Sequence, residues 1–434
     1  MNAIPSNPTE TAQGFDLHKV KKALLLGAYF VTKEKEKCED YLEELHRLCE
    51  TFGILETHSV PCPVKKLDAG TYLGSGKLEE LYQLKNELNC DLVVFDDEIS
   101  PHQQRNLEKI FKCPVIDRTE LIIEVFAQRA QTREAKLQIE LAKIRYQFPR
   151  LRRMWTHLSR QSTGGGGYLK GEGEKQIEID RRILRRRIDA LRKEIEEVIA
   201  QRKTQRAARL RSGIPTFAII GYTNAGKSTL LKSLTQADVL VEDKLFATLD
   251  TTTRKFTLPN NQDVLLIDTV GFIRKIPHTL VAAFKSTLEE ATHTDILLHL
   301  IDASHPNALE HAEATLEVLK ELGAKDHPII TVLNKMDACE DPSILTRLRL
   351  TYTKTVQISA SQGVGFEDLS QRMMDEISKL RKIFTLRIPQ SNYALVAELM
   401  KEGNVLESDY EENDVLLKIE IPVRLEYKVI PFIV

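Results

Sequence analysis

The six cysteines of this 434-residue chain, at 38, 49, 62, 90, 113 and 339, form no CxxC pair. That scatter argues against a disulfide framework or a cysteine zinc site and suits a reducing cytoplasm. Apolar runs are short. "ALLLGAYFV" (23–31) and "VLLIDTVGF" (264–272) fall far below the roughly 20 residues a membrane helix needs. The opening "MNAIPSNPTETAQG" has neither the basic region nor the apolar core of a signal peptide and reads as a disordered tail. His157, His278, His293, His299, His305 and His311 assemble no metal-ligand spacing, so they are expected to be structural or surface residues.

Net charge is also scarce, at −2, but it is unevenly spread. Residues 143–187 hold 13 Lys/Arg against four acids, a local +9 that leaves the rest of the chain at −11. An acidic body with one basic segment points to a localised contact with a polyanion. The bland alternative is a solvated basic helix face.

The length suggests about three domains. After the tail (1–15), residues 16–118 alternate apolar runs with helical patterns, which predicts a parallel α/β domain. "SPHQQRNLEKIF" reads as a helix with a Ser cap and Pro in its first turn. From 119 to 212 the strand signal vanishes. Leu137, Leu141, Ile144 and Phe148 form one helical stripe; Leu184, Ile188, Leu191, Ile195 and Val198 form another. Two stripes joined by a glycine-rich basic tip (162–173) describe an antiparallel helical hairpin, with Pro149 interrupting the first arm. Strand–helix alternation resumes over 213–381, and 382–434 reads as a small α+β domain of the order strand–helix–strand–strand. The expected fold class is multidomain α/β.

"GYTNAGKST" (221–229) contains Gly221, Gly226, Lys227 and Ser228 in the GxxxxGK[ST] spacing, between a strand pattern and a helix pattern. Backbone amides of such a loop, including those of Tyr222, Thr223, Asn224, Ala225 and Thr229, cradle phosphates at a helix N-terminus. Lys227 reaches the β- and γ-phosphates, and Ser228 ligates Mg²⁺. "DTVG" places Asp268 and Gly271 after an apolar strand, for magnesium-bound water and the γ-phosphate. "NKMD" places Asn334, Lys335 and Asp337 after another. Asp337 pairs with two donors on the guanine edge that adenine lacks. "SAS", Ser359, Ala360 and Ser361, follows the next strand and can meet the guanine O6. Four motifs in this order predict a mixed-sheet P-loop GTPase domain of the translation-factor class.

"GYTNAGKSTL", "LFATLDTTTR" (245–254) and "DTVGFIRKIPH" (268–278) closely resemble the HflX-type GTPases of the Obg–HflX group. So do "GSGKLEEL" (74–81) and "GEGEKQIEIDRR" (171–182), which are specific to that family, and the resemblance covers 16–381. It implies that Thr248 is the threonine serving Mg²⁺ and γ-phosphate, with Lys227 and Gly271 completing the catalytic set. The family often has Pro where Thr251 stands, which keeps Thr252 as the fallback. Asn224 matches an asparagine that helps hold K⁺ in related GTPases, although Asn is also a good turn former.

Many GTPases place a water-orienting glutamine where this chain has Phe272. Either Phe272 packs away and another group or a partner completes the site, or the protein is a nucleotide-gated scaffold with little hydrolysis. The resemblance implies slow basal turnover stimulated by the large ribosomal subunit, with binding to ribosomal RNA near the peptidyl-transferase centre and dissociation or rescue of ribosomes under stress. A ribosome-assembly GTPase is the alternative. In the tip, Gly164, Gly165, Gly166, Gly167, Gly171 and Gly173 are surrounded by Arg152, Arg153, Arg160, Lys170 and Lys175. Trp155 and Tyr168 are available to stack on unpaired bases. The "GSGK" turn at 74–77 reads as a strand-to-helix turn, with ATP at a second site as the other reading. A cytoplasmic monomer without membrane contact is expected.

Overall fold

The structure is a computed structural model that describes residues 17–150, 170–211, 214–236, 245, 246, 248, 249, 251–275, 292–324, 327–411, 413–422 and 425–434. The N-terminal tail lies outside the described residues, as do Arg152, Arg153, Trp155, Arg160, the glycines 164–167 and Tyr168; Lys170 and Lys175 are described only by their helical backbone. The chain forms two compact units. The first is Met1–Glu197 with Glu242–Leu249 and Lys275–Phe284; the second is Val198–Val241, Asp250–Arg274 and Lys285–Val434.

The first unit begins with β1 (Lys22–Tyr29), α1 (Lys35–Phe52), β2 (Glu56–Pro63), α2 (Ser75–Glu87), β3 (Leu92–Phe95), α3 (Pro101–Phe111) and β4 (Val115–Asp117). The four strands are parallel in the order β2-β1-β3-β4. β1 and β3 are central and read as unbroken apolar runs, because such strands are covered on both faces. Leu24, Leu26, Val93, Phe95, Leu107 and Phe111 share one core. The Ser–Pro signal does start α3: Ser100 Oγ accepts the Gln103 amide at 3.2 Å, and Gln103 Oε1 accepts the Ser100 amide at 2.9 Å. This reciprocal box satisfies two donors that the helix start would leave unpaired.

Helices α4 (Arg118–Arg129), α5 (Arg133–Gln147) and α6 (Lys170–Arg211) follow; α6 begins inside the expected tip, so Gly171 and Gly173 are helical, not part of a loose loop. Leu121–Phe126 of α4 is buried throughout, and the buried Arg118 donates to Asp96 at 3.0 Å and Glu44 at 2.7 Å. Ion pairs and ring contacts set the direction of α5 against α6. Arg187 binds Glu140, Arg133 approaches Glu194, and Arg185 lies over the Phe148 ring. Partners that descend along α5 as they rise along α6 make the two helices antiparallel. Pro149 sits in a short 3-10 turn, Phe148–Arg150, which ends α5. Arg150 is structural: its guanidinium donates to the Ile99 carbonyl and to Asp117, whose carboxyl burial pushes up to about 6.

The second unit contains β5 (Thr216–Gly221), α7 (Lys227–Thr235), β6 (Thr252–Thr257), β7 (Asp263–Asp268), β8 (Ile296–Asp302), α8 (Ala308–Glu321), β9 (Ile329–Asn334), α9 (Pro342–Thr351), β10 (Thr355–Gln357) and α10 (Phe366–Leu380). Its sheet order is β10-β9-β8-β5-β7-β6, parallel except for the antiparallel β6–β7 pair. A further antiparallel sheet, β11-β13-β12, is formed by β11 (Arg381–Pro389), β12 (Asn404–Glu411) and β13 (Asp414–Pro422), with α11 (Tyr393–Glu402) between β11 and β12. That is the expected strand–helix–strand–strand order. Val396 and Leu399 of α11 share its core with Leu386, Leu417 and Ile419. Among the described residues no helix is long and apolar enough to cross a membrane. Cys38, Cys49, Cys62 and Cys90 are buried thiols outside any disulfide.

Candidate nucleotide site

The four motifs lie on loops leaving the carboxyl ends of β5, β7, β9 and β10. In an open parallel sheet those ends face one crevice, where ligands bind. The loop after β5 closes on Gly226, which adopts φ +95° and leads directly into α7. A side chain at 226 would also meet Asn334 Nδ2 at 2.3 Å. Asn334 also acts as a brace: its Nδ2 donates to the Ala225 carbonyl at 2.8 Å, and its Oδ1 accepts the Ala360 amide at 3.0 Å. One buried amide thus ties the phosphate loop to the "SAS" loop.

Lys227 is fully enclosed, and its Nζ donates to the carbonyls of Gly221 (3.2 Å) and Tyr222 (2.7 Å). Burial pulls its pKa down to about 8, against the raising effect of Asp268. Ser228 Oγ donates to Asp268 Oδ2 at 2.8 Å. A hydroxyl beside a buried carboxylate is the hard-oxygen set that Mg²⁺ prefers, so these residues fit the ion. A Cβ at Gly271 would stand 2.9 Å from Thr223 Cα and 3.0 Å from Lys227 Nζ, so the DxxG loop passes against the phosphate loop at a point only glycine fits. Backbone bonds lock the two loops: the Thr223 amide donates to the Phe272 carbonyl (2.6 Å), and the Phe272 amide to the Gly221 carbonyl (3.1 Å).

Phe272 is 1% exposed. Its side chain is core, so it packs away and no water-orienting group stands at that position. Thr252 and Thr253 are committed to β6, opposite Asp268 and Ile267, whereas Thr248 and Thr251 lie in irregular backbone. Thr248 belongs to the first unit together with Leu245 and Phe246. There the Leu245 amide donates to Thr51 Oγ1 at 3.2 Å, and the Phe246 ring meets Phe126 edge-on at 4.4 Å. The first unit also takes Lys275, directly after the DxxG loop; it pairs with Asp96 at 2.9 Å and with Asp97, and lies over the Tyr41 ring.

On the base side, Lys335 adopts φ +60°, and Asp337 accepts from Gln362 Nε2 at 3.4 Å. Ser359 Oγ is 3.1 Å from Ser361 Oγ. Asp302 is the last residue of β8. It caps β8, accepting from Ser304, and it also pairs with Lys335 at 2.8 Å, placing the carboxylate behind the motif lysine. Its position at a strand end beside the motif strand was the available signal. At 74–77, Gly74 is extended (φ −68°) and Ser75 already starts α2; Lys77 pairs with Glu80. This is a turn into a helix with no left-handed phosphate nest.

A phosphate loop leading into a helix, the Ser228–Asp268 pair, the DxxG glycine and Asp337, all at carboxyl ends of strands of one sheet, define the fold of a P-loop GTPase. The family described as "GTP-binding GTPase N-terminal" matches residues 39–127, "GTP-binding GTPase Middle Region" matches 129–209, and "50S ribosome-binding GTPase" matches 216–335. The GTPase HflX of Chlamydia pneumoniae is 49% identical over 96% of this chain and 90% of its own length; that of Escherichia coli K12 is 40% identical over 93% and 94%. A GTP-binding protein from Sulfolobus solfataricus in complex with GDP aligns with 83% of this chain and 99% of its own, at 26% identity and TM-score 0.44. The chain belongs to the HflX GTPase family. It binds GTP and GDP and hydrolyses GTP.

Proposed function

We propose that this GTPase is a cytoplasmic monomer that binds the large ribosomal subunit and uses the state of its nucleotide to dissociate or rescue ribosomes under stress. The observation that carries the reading is the basic arm. α6 presents Arg182, Arg185 and Arg186 to solvent, and Glu140–Arg187 holds it antiparallel to α5. A rigid basic arm suits the phosphates of folded RNA, because each neutralised phosphate releases a counterion. The description "50S ribosome-binding GTPase" over 216–335 supports the same partner class. Arg152, Arg153, Arg160, Lys170 and Lys175, with Gly164–Gly166 and Tyr168, are the proposed RNA contacts. The reading needs no second nucleotide site.

Lys227 steadies the β- and γ-phosphates, Thr248 and Gly271 respond to the γ-phosphate, and Asp337 selects guanine. Ser228 and Thr248, with Asp268 acting through water, would hold Mg²⁺, and the ion would supply positive charge to the phosphates. Loss of the γ-phosphate releases the loops around Thr248 and Gly271. Thr248 lies in one segment of the first unit, 242–249, and the chain after Gly271 continues into another, 275–284. Asn224 adopts φ +60°, which serves the turn, and its side chain is the proposed K⁺ ligand. Faster hydrolysis in potassium than in sodium salts is expected; equal rates would remove the K⁺ role.

Sedimentation of assembled ribosomes with GTP, GDP or a non-hydrolysable analogue tests the main reading. GTP is expected to convert particles to free subunits. Intact particles with every nucleotide, together with binding to large-subunit precursors, would favour the assembly reading.

A further inference from the structure

Tyr222 is the one aromatic residue in a loop otherwise made of Gly, Thr, Asn, Ala, Lys and Ser. A phosphate nest is built from backbone amides, so it makes no demand for a phenol ring at this position. Yet the ring is enclosed, 6% exposed, and engaged at both ends. Its face stacks on the His311 imidazole of α8, with centroids 3.8 Å apart and planes 2° from parallel. Its hydroxyl accepts the amide hydrogen bond of Arg274, at 2.8 Å, at the far end of the DxxG loop. The backbone of Tyr222 pairs with Phe272, and its carbonyl is the nearer of the two acceptors that aim Lys227. Behind His311 stands His305, 4.4 Å away, whose Nδ1 accepts the Asn307 amide at 3.0 Å.

These contacts converge on one degree of freedom. A flat stack fixes the plane of the Tyr222 ring, and a fixed ring holds the side-chain torsions and, through them, the loop backbone. The same residue carries the carbonyl that orients Lys227 and the hydroxyl that anchors the loop bearing Gly271. We propose that Tyr222 and His311 form a positioning pair that registers the phosphate loop against the DxxG loop for hydrolysis, with His311 acting through Tyr222 without touching nucleotide. Ground-state binding depends mainly on the amide nest and the base motifs, whereas hydrolysis depends on alignment of Lys227 and the Gly271 loop around the γ-phosphate. The pair therefore bears on turnover more than on affinity.

The test uses the full chain without ribosomes, so its outcome is independent of the ribosomal reading. His311→Ala removes the stack, His311→Phe keeps a flat partner, and Tyr222→Phe keeps the stack but removes the acceptor of the Arg274 amide. GTP turnover, KM, GDP affinity and melting temperature are measured for each. Misalignment of about an ångström slows catalysis strongly, so His311→Ala is expected to lower kcat about tenfold with GDP affinity within about twofold. His311→Phe is expected to recover most of that loss, and Tyr222→Phe to lower kcat several-fold. Equal kcat for Ala and Phe at 311, whether both impaired or both unaffected, overturns the proposal. So does a loss confined to melting temperature. Should His311→Ala fail to fold, a tenfold slow His311→Phe, or a Tyr222→Phe with unchanged kcat, overturns it alone.

Discussion

Lys227 shows how burial tunes a residue whose identity the P-loop pattern dictates. Enclosure lowers its pKa to about 8 before nucleotide binds, because a desolvated ammonium loses hydration. Phosphate oxygens restore its preference for the proton. Below about 8 the lysine is charged in both states and contributes no pH dependence. Above that, binding must take up a proton, so GTP affinity is expected to fall roughly tenfold per pH unit. Titration calorimetry across pH 7 to 10 checks this, and a flat profile there would contradict the burial effect. Lys227→Ala should abolish this dependence together with most of the affinity. At the base end, Asp337→Asn exchanges an acceptor for a donor. It is expected to weaken GTP by about 2–3 kcal/mol, the scale of an unsatisfied polar contact, and to favour xanthine nucleotides. Competition binding with XTP and GTP reads the switch.

Among the elements, the helical arms divide the work between stiffness and reach. Arg187 donates to both oxygens of Glu140, so α5 and α6 are joined by a bidentate pair. The exposed arginines of α6 contribute little to folding, since solvated charges interact weakly. Deleting 162–173 should therefore leave basal GTP hydrolysis within about twofold, as surface changes away from a core are usually mild. Stimulation by large subunits should drop. Turnover with and without subunits decides it, and undiminished stimulation would show that the tip is not the contact. The stripes at 137–148 and 184–198 disclosed both arms, because a 3.6-residue period survives in the sequence. α4 was less legible: Arg118, Thr119, Glu120 and Glu124 are buried along with its apolar residues, so its burial does not follow an apolar stripe.

At the scale of the molecule, Lys275 carries the DxxG loop into the first unit, where Asp96 also receives the buried Arg118. Asp96 is thus an acid shared within that unit by a fixed arginine and by a lysine four positions after the DxxG glycine. Hydrogen exchange in 35–52 and 118–129 is expected to differ between GTP- and GDP-bound protein. Lys275→Ala should narrow that difference while leaving the GTP affinity within about threefold, because the lysine side chain is 40% exposed and its ion pairs are to Asp96 and Asp97. An unchanged difference would assign the coupling elsewhere.

What the sequence by itself determined is the chemistry that rests on spacing: GxxxxGK[ST], DxxG, NKxD and SAS are contiguous, and each needs only its strand and turn to be placed. The alternation of strands and helices determined the class of each sheet for the same reason. Tertiary structure alone decided what depends on distant residues meeting. The burial of Phe272, the Asp302–Lys335 pair, the brace from Asn334 to Ala225 and Ala360, and the ring of Tyr222 laid flat on His311, 89 positions away, are of this kind. No local period encodes such contacts, because they arise only when parallel strands bring separate loops to one edge of a sheet.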